Sequence, residues 1–485
     1  MRRKTGVWRP MAAVLAAAGV AAGILSGCGG AGKEPGEGKT VSRAEGAGAG
    51  QENKKETEEA GVGTAAMGRY VETELALPDL TEDERFIALF YGNQGILELY
   101  TASREEGKES SDVRRFLREG EGWRQDEGWW ERVKPRDLEV DIRRVFYGLD
   151  ENYYFTAMTT GDSYICQLYQ IREDGASVEL IPEAFQAEAG KKYGLIPTKV
   201  EVGKDGNILV HAFHDCIYYT PDGKRLFSME KSMSGSSESS EGYLTEEEFV
   251  TKVDGGVARY GLADGKLIET ISYEGLDKSS EESTVLLGDG NGGIYVANEK
   301  GLAHVNQGGS LWELLIDGSL NTMGMKSMYL EAFLIGDQED YYGVFVSGGE
   351  KGIMLCRYAY DPDTAAVPPV TLTVYGLEES PTVRQAAAVF QKSHPDVRVE
   401  VLNGAGQDGN ISEDTIRALN TELLGGQGAD VLILDGLPVR AYQEKGILMD
   451  LREVFDTVQK EDPVMGQVLA EFTESDGAVY KMPAR

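Results

Sequence analysis

Three stretches carry side chains whose types and spacing could do chemistry. In the first, the apolar run Val431 to Leu434 stops at Asp435-Gly436, with Leu437-Pro438 and a helical pattern after it. This pattern predicts a buried parallel strand ending in a polar loop. Open α/β sheets bind ligands outside the carboxyl ends of their strands, so Asp435 and Gly436 sit where a ligand would be met. Asp435 could equally cap the helix that starts near Pro438. Glu378 and Glu379 follow a similar run, Thr371 to Tyr375, after Gly376. Carboxylates at such a place could accept hydrogen bonds from a ligand's hydroxyls, and Tyr375, Tyr442 and Tyr480 are the aromatics available to stack on a ring. The second stretch, His211 to Cys216 with His214 inside it, has metal-ligand residue types. On a strand, however, His211 and His214 point to opposite faces, so packing is the better expectation than a shared metal. The third is Gly122 to Trp130, where Trp123, Trp129 and Trp130 could stack on sugars or pack inside the fold. No phosphate-binding loop, Cys pair or nucleophile elbow occurs, so the sequence implies no catalytic residues, no metal and no cofactor.

The elements that must position Asp435 and the two glutamates follow from local rules. Ser380-Pro381 starts a helix, with Ser as cap and Pro at the first helical position. Val383, Ala386, Ala387 and Phe390 share one face of it. The helix must stop near His394-Pro395, because the residue before proline is driven out of the α region. Val397 to Leu402 predicts a second strand. Ser412 opens a second helix that buries Ile416, Leu419 and Leu423 and closes at Gly425-Gly426. With Val431 to Leu434 as third strand the order is β-α-β-α-β, which requires parallel strands and right-handed crossovers. Gly404 to Gly409 is rich in glycine but leads into no dinucleotide-type turn, and is expected as a loop.

These residues, with Ala429-Asp430-Val431, Tyr442, Gly446 and Leu451, resemble the first lobe of the extracellular solute-binding proteins of ABC importers, the sugar-binding, maltodextrin-type branch being nearest. Gly477 to Ala484 is similar to that family's crossing strand. The resemblance covers residues 370–485, an α/β periplasmic-binding-protein-like lobe. It implies that Glu378, Glu379, Asp435, Gly436, Leu437 and Pro483 line a cleft edge, that the ligand is a small solute of carbohydrate type, and that the partners are the importer's membrane subunits. The family closes a second lobe on its ligand. The chain stops at Arg485, where that lobe would begin, so the lobe is expected to be incomplete.

The amino end predicts where the protein works. Arg2, Arg3, Lys4 and Arg9 precede an apolar run from Met11 to Ile24, which has the length of a signal-peptide core. Leu25-Ser26-Gly27-Cys28 resembles the lipobox of bacterial lipoproteins. That resemblance implies a diacylglycerol on the Cys28 thiol, cleavage before it, and anchorage at the extracytoplasmic face of the cell membrane. Residues 29–69 are Gly, Ala, Glu and Lys with almost no aliphatic bulk, and are expected as a disordered tether. Forty-eight basic against 81 acidic residues leave a net charge of −33. That balance disfavours nucleic-acid backbone and direct docking of the folded body on anionic lipid. After Cys28 the only cysteines are Cys166, Cys216 and Cys356, an odd number that builds no disulfide framework.

Residues 70–361 are rich in Tyr and Val and are punctuated by turns. Asp174-Gly175, Asp222-Gly223, Asp264-Gly265 and Gly308-Gly309 recur at intervals of 48, 42 and 44 residues. Gly206 to Val210 and Gly293 to Ala297 match in pattern, and Ile208 and Ile294 lie 86 residues apart, two such periods. A period of about 40–45 residues with several short strands predicts an all-β propeller of six or seven blades, with a pair of β-sandwiches as alternative. The strand Tyr70 to Leu77 is placed to complete the last blade and close the ring. Residues 362–369, with three prolines, form a stiff connector short enough to bring the two domains into contact. Taken together, the expectation is a membrane-anchored solute-binding lipoprotein that is not an enzyme, with the propeller as scaffold or second recognition surface. The alternatives are a propeller-based glycan-active enzyme, marked by two convergent carboxylates at the channel mouth, and a protein-interaction lipoprotein with a relic lobe.

Overall fold

The computed structural model describes residues 67–104, 110–136, 139–159, 165–186, 194–212, 215–230, 242–276, 283–347, 352–404, 412–461 and 470–482. Residues 67–439 form one unit and 440–482 belong to another. In the first, six four-stranded antiparallel sheets follow one another along the chain, a six-bladed β-propeller. Blades 1 to 5 occupy 85–125, 140–180, 199–230, 242–272 and 285–317, and blade 6 takes 328–365 together with the strand Met67–Leu75. The first strands of neighbouring blades touch, so they line the inside of the ring.

The predicted repeat has a direct structural cause. Asp174-Gly175, Asp222-Gly223, Asp264-Gly265 and Gly308-Gly309 all occupy the hairpin between the third and fourth strands, in blades 2, 3, 4 and 5. Ile208 and Ile294 each begin the second strand of a blade, two blades apart. Each blade is apolar on both faces, and six hydrophobic clusters result, one between every pair of neighbours. Trp129 and Trp130 are buried in the cluster between blades 1 and 2, where Trp130 Nε1 donates to the Ser111 carbonyl at 3.0 Å. They pack; they are not displayed for stacking. Cys166, Cys216 and Cys356 are buried and form no disulfide among the described residues.

Ring closure uses the amino-terminal strand. Met67–Leu75 pairs antiparallel with Ile353–Ala365, Tyr70 opposite Tyr360 and Leu75 opposite Leu355. The outermost strand of blade 6 thus comes from the far end of the sequence, which holds the ring shut without a free gap between first and last blades. The strand begins three residues before the predicted start, inside the stretch expected as tether. The last strand of blade 6 runs on to Ala365. Much of the expected connector is therefore sheet, because Asp361 and Ala365 find partners in Arg69 and Met67.

Residues 370–439 form a smaller α/β layer. Val370–Gly376, Pro381–Ser393, Val397–Asn403, Glu413–Leu424 and Val431–Leu432 occur in the predicted β-α-β-α-β order. The strands are parallel, with Val370–Gly376 in the centre. Ser380 and Ser412 cap the two helices by accepting from the Val383 and Thr415 amides. The third strand departs from expectation. Only Val431 and Leu432 pair, and Val431 to Leu434 are half-buried rather than buried. This strand lies at the sheet edge with one neighbour, so half of its surface stays open. The second unit contains the helix Arg452–Glu461 and an antiparallel bridge between Thr473 and Val479. No helix among the described residues is long and apolar enough to cross a membrane.

Candidate functional site

Parallel pairing places the carboxyl ends of all three strands at one sheet edge. Gly376 lies opposite Asn403, and Tyr375 lies between Leu402 and Leu432. The Gly404 amide donates to the Gly376 carbonyl at 2.9 Å and the Ile433 amide to the Tyr375 carbonyl at 2.8 Å. These bonds hold Gly404 and Ile433 against the end of the central strand. At the opposite end of the edge strand the Asp430 carboxylate accepts from the Thr373 amide at 2.8 Å and from its hydroxyl at 2.7 Å. Asp430 thereby extends a ladder that the backbone alone makes only two residues long.

Five of the six residues expected at the cleft edge lie in this unit. Glu378, Asp435 and Gly436 are exposed on loops at the common edge, while Leu377 and Leu437 beside them are buried. The loops touch: a Cβ on Gly436 would stand 3.0 Å from Leu377 Cδ1. Gly436 has φ +76°, where glycine carries no steric penalty. Glu379 is exposed too, but its carboxylate lies 2.9 Å from the Arg384 guanidinium and is spent on the first turn of its own helix. Tyr375 is half-buried, with its hydroxyl over Gly404. Burial, then the charge of Glu422, pushes its pKa up. The arrangement offers two exposed carboxylates, open backbone at Gly436 and one aromatic edge, a set suited to hydrogen-bonding a polyhydroxylated solute.

The remaining expected residues lie elsewhere. Tyr442 belongs to the second unit and is buried, at 2% exposure, so it presents no ring face for stacking. Burial follows from its place on the inward side of the short helix Val439–Glu444. Ala478 and Val479 of the expected crossing strand are buried as well. Cys28 and Pro483 lie outside the described residues, as does His214.

His211 is fully buried, with Nε2 2.8 Å from Glu201 Oε2, and Lys199 Nζ stands 3.0 Å from the other oxygen of that carboxylate. Burial alone would raise the Glu201 pKa, but Lys199 and His211 overcome it and hold the group down at about 2. Glu98, as buried as His211, accepts from Arg115, Tyr100 and Tyr153, and Glu84 from Arg114 and Thr101. These carboxylates are consumed by structural pairing between strands and blades.

One cluster that sequence reasoning missed joins the propeller to the α/β layer. The Glu72 carboxylate, on the closing strand, accepts from the Thr322 amide at 2.9 Å, its hydroxyl at 2.6 Å and Tyr358 Oη at 2.8 Å. Lys392 Nζ, from the helix Pro381–Ser393, completes the set at 2.9 Å. Next to it Gln391 donates to the Ser319 carbonyl, and Arg69 donates to the Pro395 carbonyl at 2.6 Å. The helical signal around Phe390 accounts for one face only; that Gln391 and Lys392 turn to the propeller had no mark in local pattern.

No family model matches the chain, and no curated protein matches it. Among solved structures it is similar to an extracellular domain assigned to a hybrid two-component system of B. thetaiotaomicron, at 13% identity and TM-score 0.35, over 59% of this chain and 39% of that one. It is also similar to a gluconolactonase from Xanthomonas campestris, at 12% identity and TM-score 0.35, over 61% of this chain and 91% of that one. A protein of unknown function from Bacteroides caccae shows 13% identity and TM-score 0.29, over 50% and 97% of the two chains. The chain thus spans about two fifths of the length of the first of these structures.

Proposed function

We propose that this chain is an extracytoplasmic solute-binding lipoprotein, tethered through a lipid on Cys28, that serves an importer of the ABC type. The ligand is a small polar solute of carbohydrate type, met by Glu378, Asp435 and Gly436. The six-bladed propeller is the scaffold that carries this sheet edge. One observation supports the reading above the others: three parallel strands end at one edge, and the loops after the first and the third hold exposed acceptors beside backbone drawn close by Gly376, Gly404 and Gly436. Ligands of open α/β sheets are found at such edges.

The test is thermal unfolding of the full chain in detergent against mono- and oligosaccharides, peptides and polyamines. A ligand that binds only the folded state raises the melting temperature in proportion to the logarithm of its concentration over Kd. The expected result is a shift with at least one saccharide that shrinks in Asp435→Ala and Glu378→Ala. No shift with any of the three classes would overturn the proposal.

A further inference from the structure

The inner strands of blades 6, 1 and 2 share an irregularity. Their pairing skips one residue each, between Leu330 and Ala332, between Phe86 and Ala88, and between Ile142 and Arg144. Such bulges kink a strand and re-aim side chains. In blade 2 the skipped residue is Arg143, followed by Arg144; in blade 6 it is Glu331. Arg144 Nη2 stands 3.6 Å from Glu331 Oε2, although the inner strand of blade 1 lies between those two blades in the ring. Both side chains therefore reach toward the ring axis. Arg85, at the start of the blade 1 strand, lies 2.9 Å from Asp141, and Arg143 lies 3.6 Å from the same carboxylate.

Three guanidiniums thus face two carboxylates along the inner strands, from Arg85 and Asp141 near the strand starts to Arg143, Arg144 and Glu331 near mid-strand. The surplus is positive, in a chain whose net charge is −33. Asp141 is committed to Arg85 and to the Ser111 hydroxyl. Arg143 and Arg144 are only 3.6 Å contacts of their carboxylates, too long for direct hydrogen bonds, and their side chains are 43% and 33% exposed. Burial lowers the Arg85 pKa, and the charges of Arg143 and Arg144 lower it further while Asp141 opposes them, so Arg85 stands within electrostatic reach of both neighbouring cations. An arginine fork with unspent donors matches the paired oxygens of a carboxylate, sulfate or phosphate group.

We infer that Arg143 and Arg144, with Arg85 behind them, form a binding site for the oxyanion group of a small solute on the inner strands of the propeller, with Glu331 as the internal carboxylate that the ligand displaces. The site is separate from the sheet edge at Asp435. It gives the propeller a ligand of its own, of opposite electrostatic demand to the acidic sheet edge.

The experiment is calorimetry on the full chain in detergent at low salt, titrated in turn with glucuronate, inorganic sulfate and inorganic phosphate, with glucose as the neutral control. At least one oxyanion is expected to bind saturably, and more weakly as salt rises. Binding of glucuronate alone assigns a sugar acid; binding of sulfate or phosphate assigns the mineral oxyanion. The double variant Arg143→Ala/Arg144→Ala is expected to lose about tenfold or more in affinity. Glu331→Gln removes the competing carboxylate and is expected to tighten binding, an effect that misfolding cannot mimic. Asp435→Ala is expected to leave it unchanged, which keeps this outcome apart from that of the sheet edge. No binding of any of the three, unchanged affinity in the double variant, or weaker binding in Glu331→Gln would overturn the inference.

Discussion

Replacing Lys392 with methionine tests how firmly the α/β layer is held to the propeller. Its ammonium meets Glu72, a carboxylate on a side chain only 5% exposed, which also accepts from Thr322 and Tyr358. The Lys392 side chain is 28% exposed, so its charge is incompletely desolvated. The pair therefore falls between an exposed ion pair, worth about 0–1 kcal/mol, and a buried pair, whose breakage costs about 3–5 kcal/mol. A loss of about 2 kcal/mol is expected for Lys392→Met. Glu72→Ala should cost more, about 3 kcal/mol, because it also orphans the fully buried Tyr358 hydroxyl. Urea unfolding of wild type, both single variants and the double variant gives the coupling, expected at about 1–2 kcal/mol. Burial lowers the Lys392 pKa, but Glu72 outweighs it and the net shift is upward. The coupling is then fully present below the unfolded lysine value near ~10.4 and is lost as pH rises through the higher folded value. A coupling below about 0.3 kcal/mol at neutral pH would refute the contact between helix and closing strand.

Two further outcomes follow from the same kind of bookkeeping. Glu201 has a depressed folded-state pKa of about 2, so its stability contribution is present above the unfolded value near ~4 and lost as pH falls toward about 2. Glu201→Gln should flatten the acid limb of the stability curve in that window, by on the order of 3 kcal/mol, when unfolding is followed by circular dichroism from pH 5 to 2. Gly436→Ala forces a Cβ into a left-handed turn and against Leu377 Cδ1, and should lower urea stability by about 1–2 kcal/mol.

Much of the propeller could be read from the chain because its hairpins print themselves in sequence. Gly175, Gly223, Gly265 and Gly308 all sit at positive φ, so each blade from 2 to 5 needs glycine at the same turn, and the spacing of those turns is the blade length. Caps did the same for the two helices: Ser380 and Ser412 accept from the amides that the rule assigns them. What stayed hidden is long-range. Glu72 and Lys392 are 320 positions apart, and nothing in either neighbourhood announces the other. The edge position of Val431–Leu432 was also invisible, since a short apolar run looks alike whether one or two strands flank it. Within the candidate site, Asp435 and Glu378 could be placed at the sheet edge because each follows an apolar run that stops at a polar loop, in a β-α-β-α-β order. The partner of Glu379 could have been foreseen from Arg384 five residues on, at the first turn of the capped helix.

Direct calorimetry of the full chain with the saccharide that gives the largest thermal shift, in wild type and in Asp435→Ala, tests the sheet-edge reading most directly. Saturable binding in the wild type that weakens at least about tenfold on loss of the carboxylate is the outcome expected for a charged acceptor facing sugar hydroxyls. Equal affinity in the two proteins would place the solute elsewhere and remove Asp435 from the account.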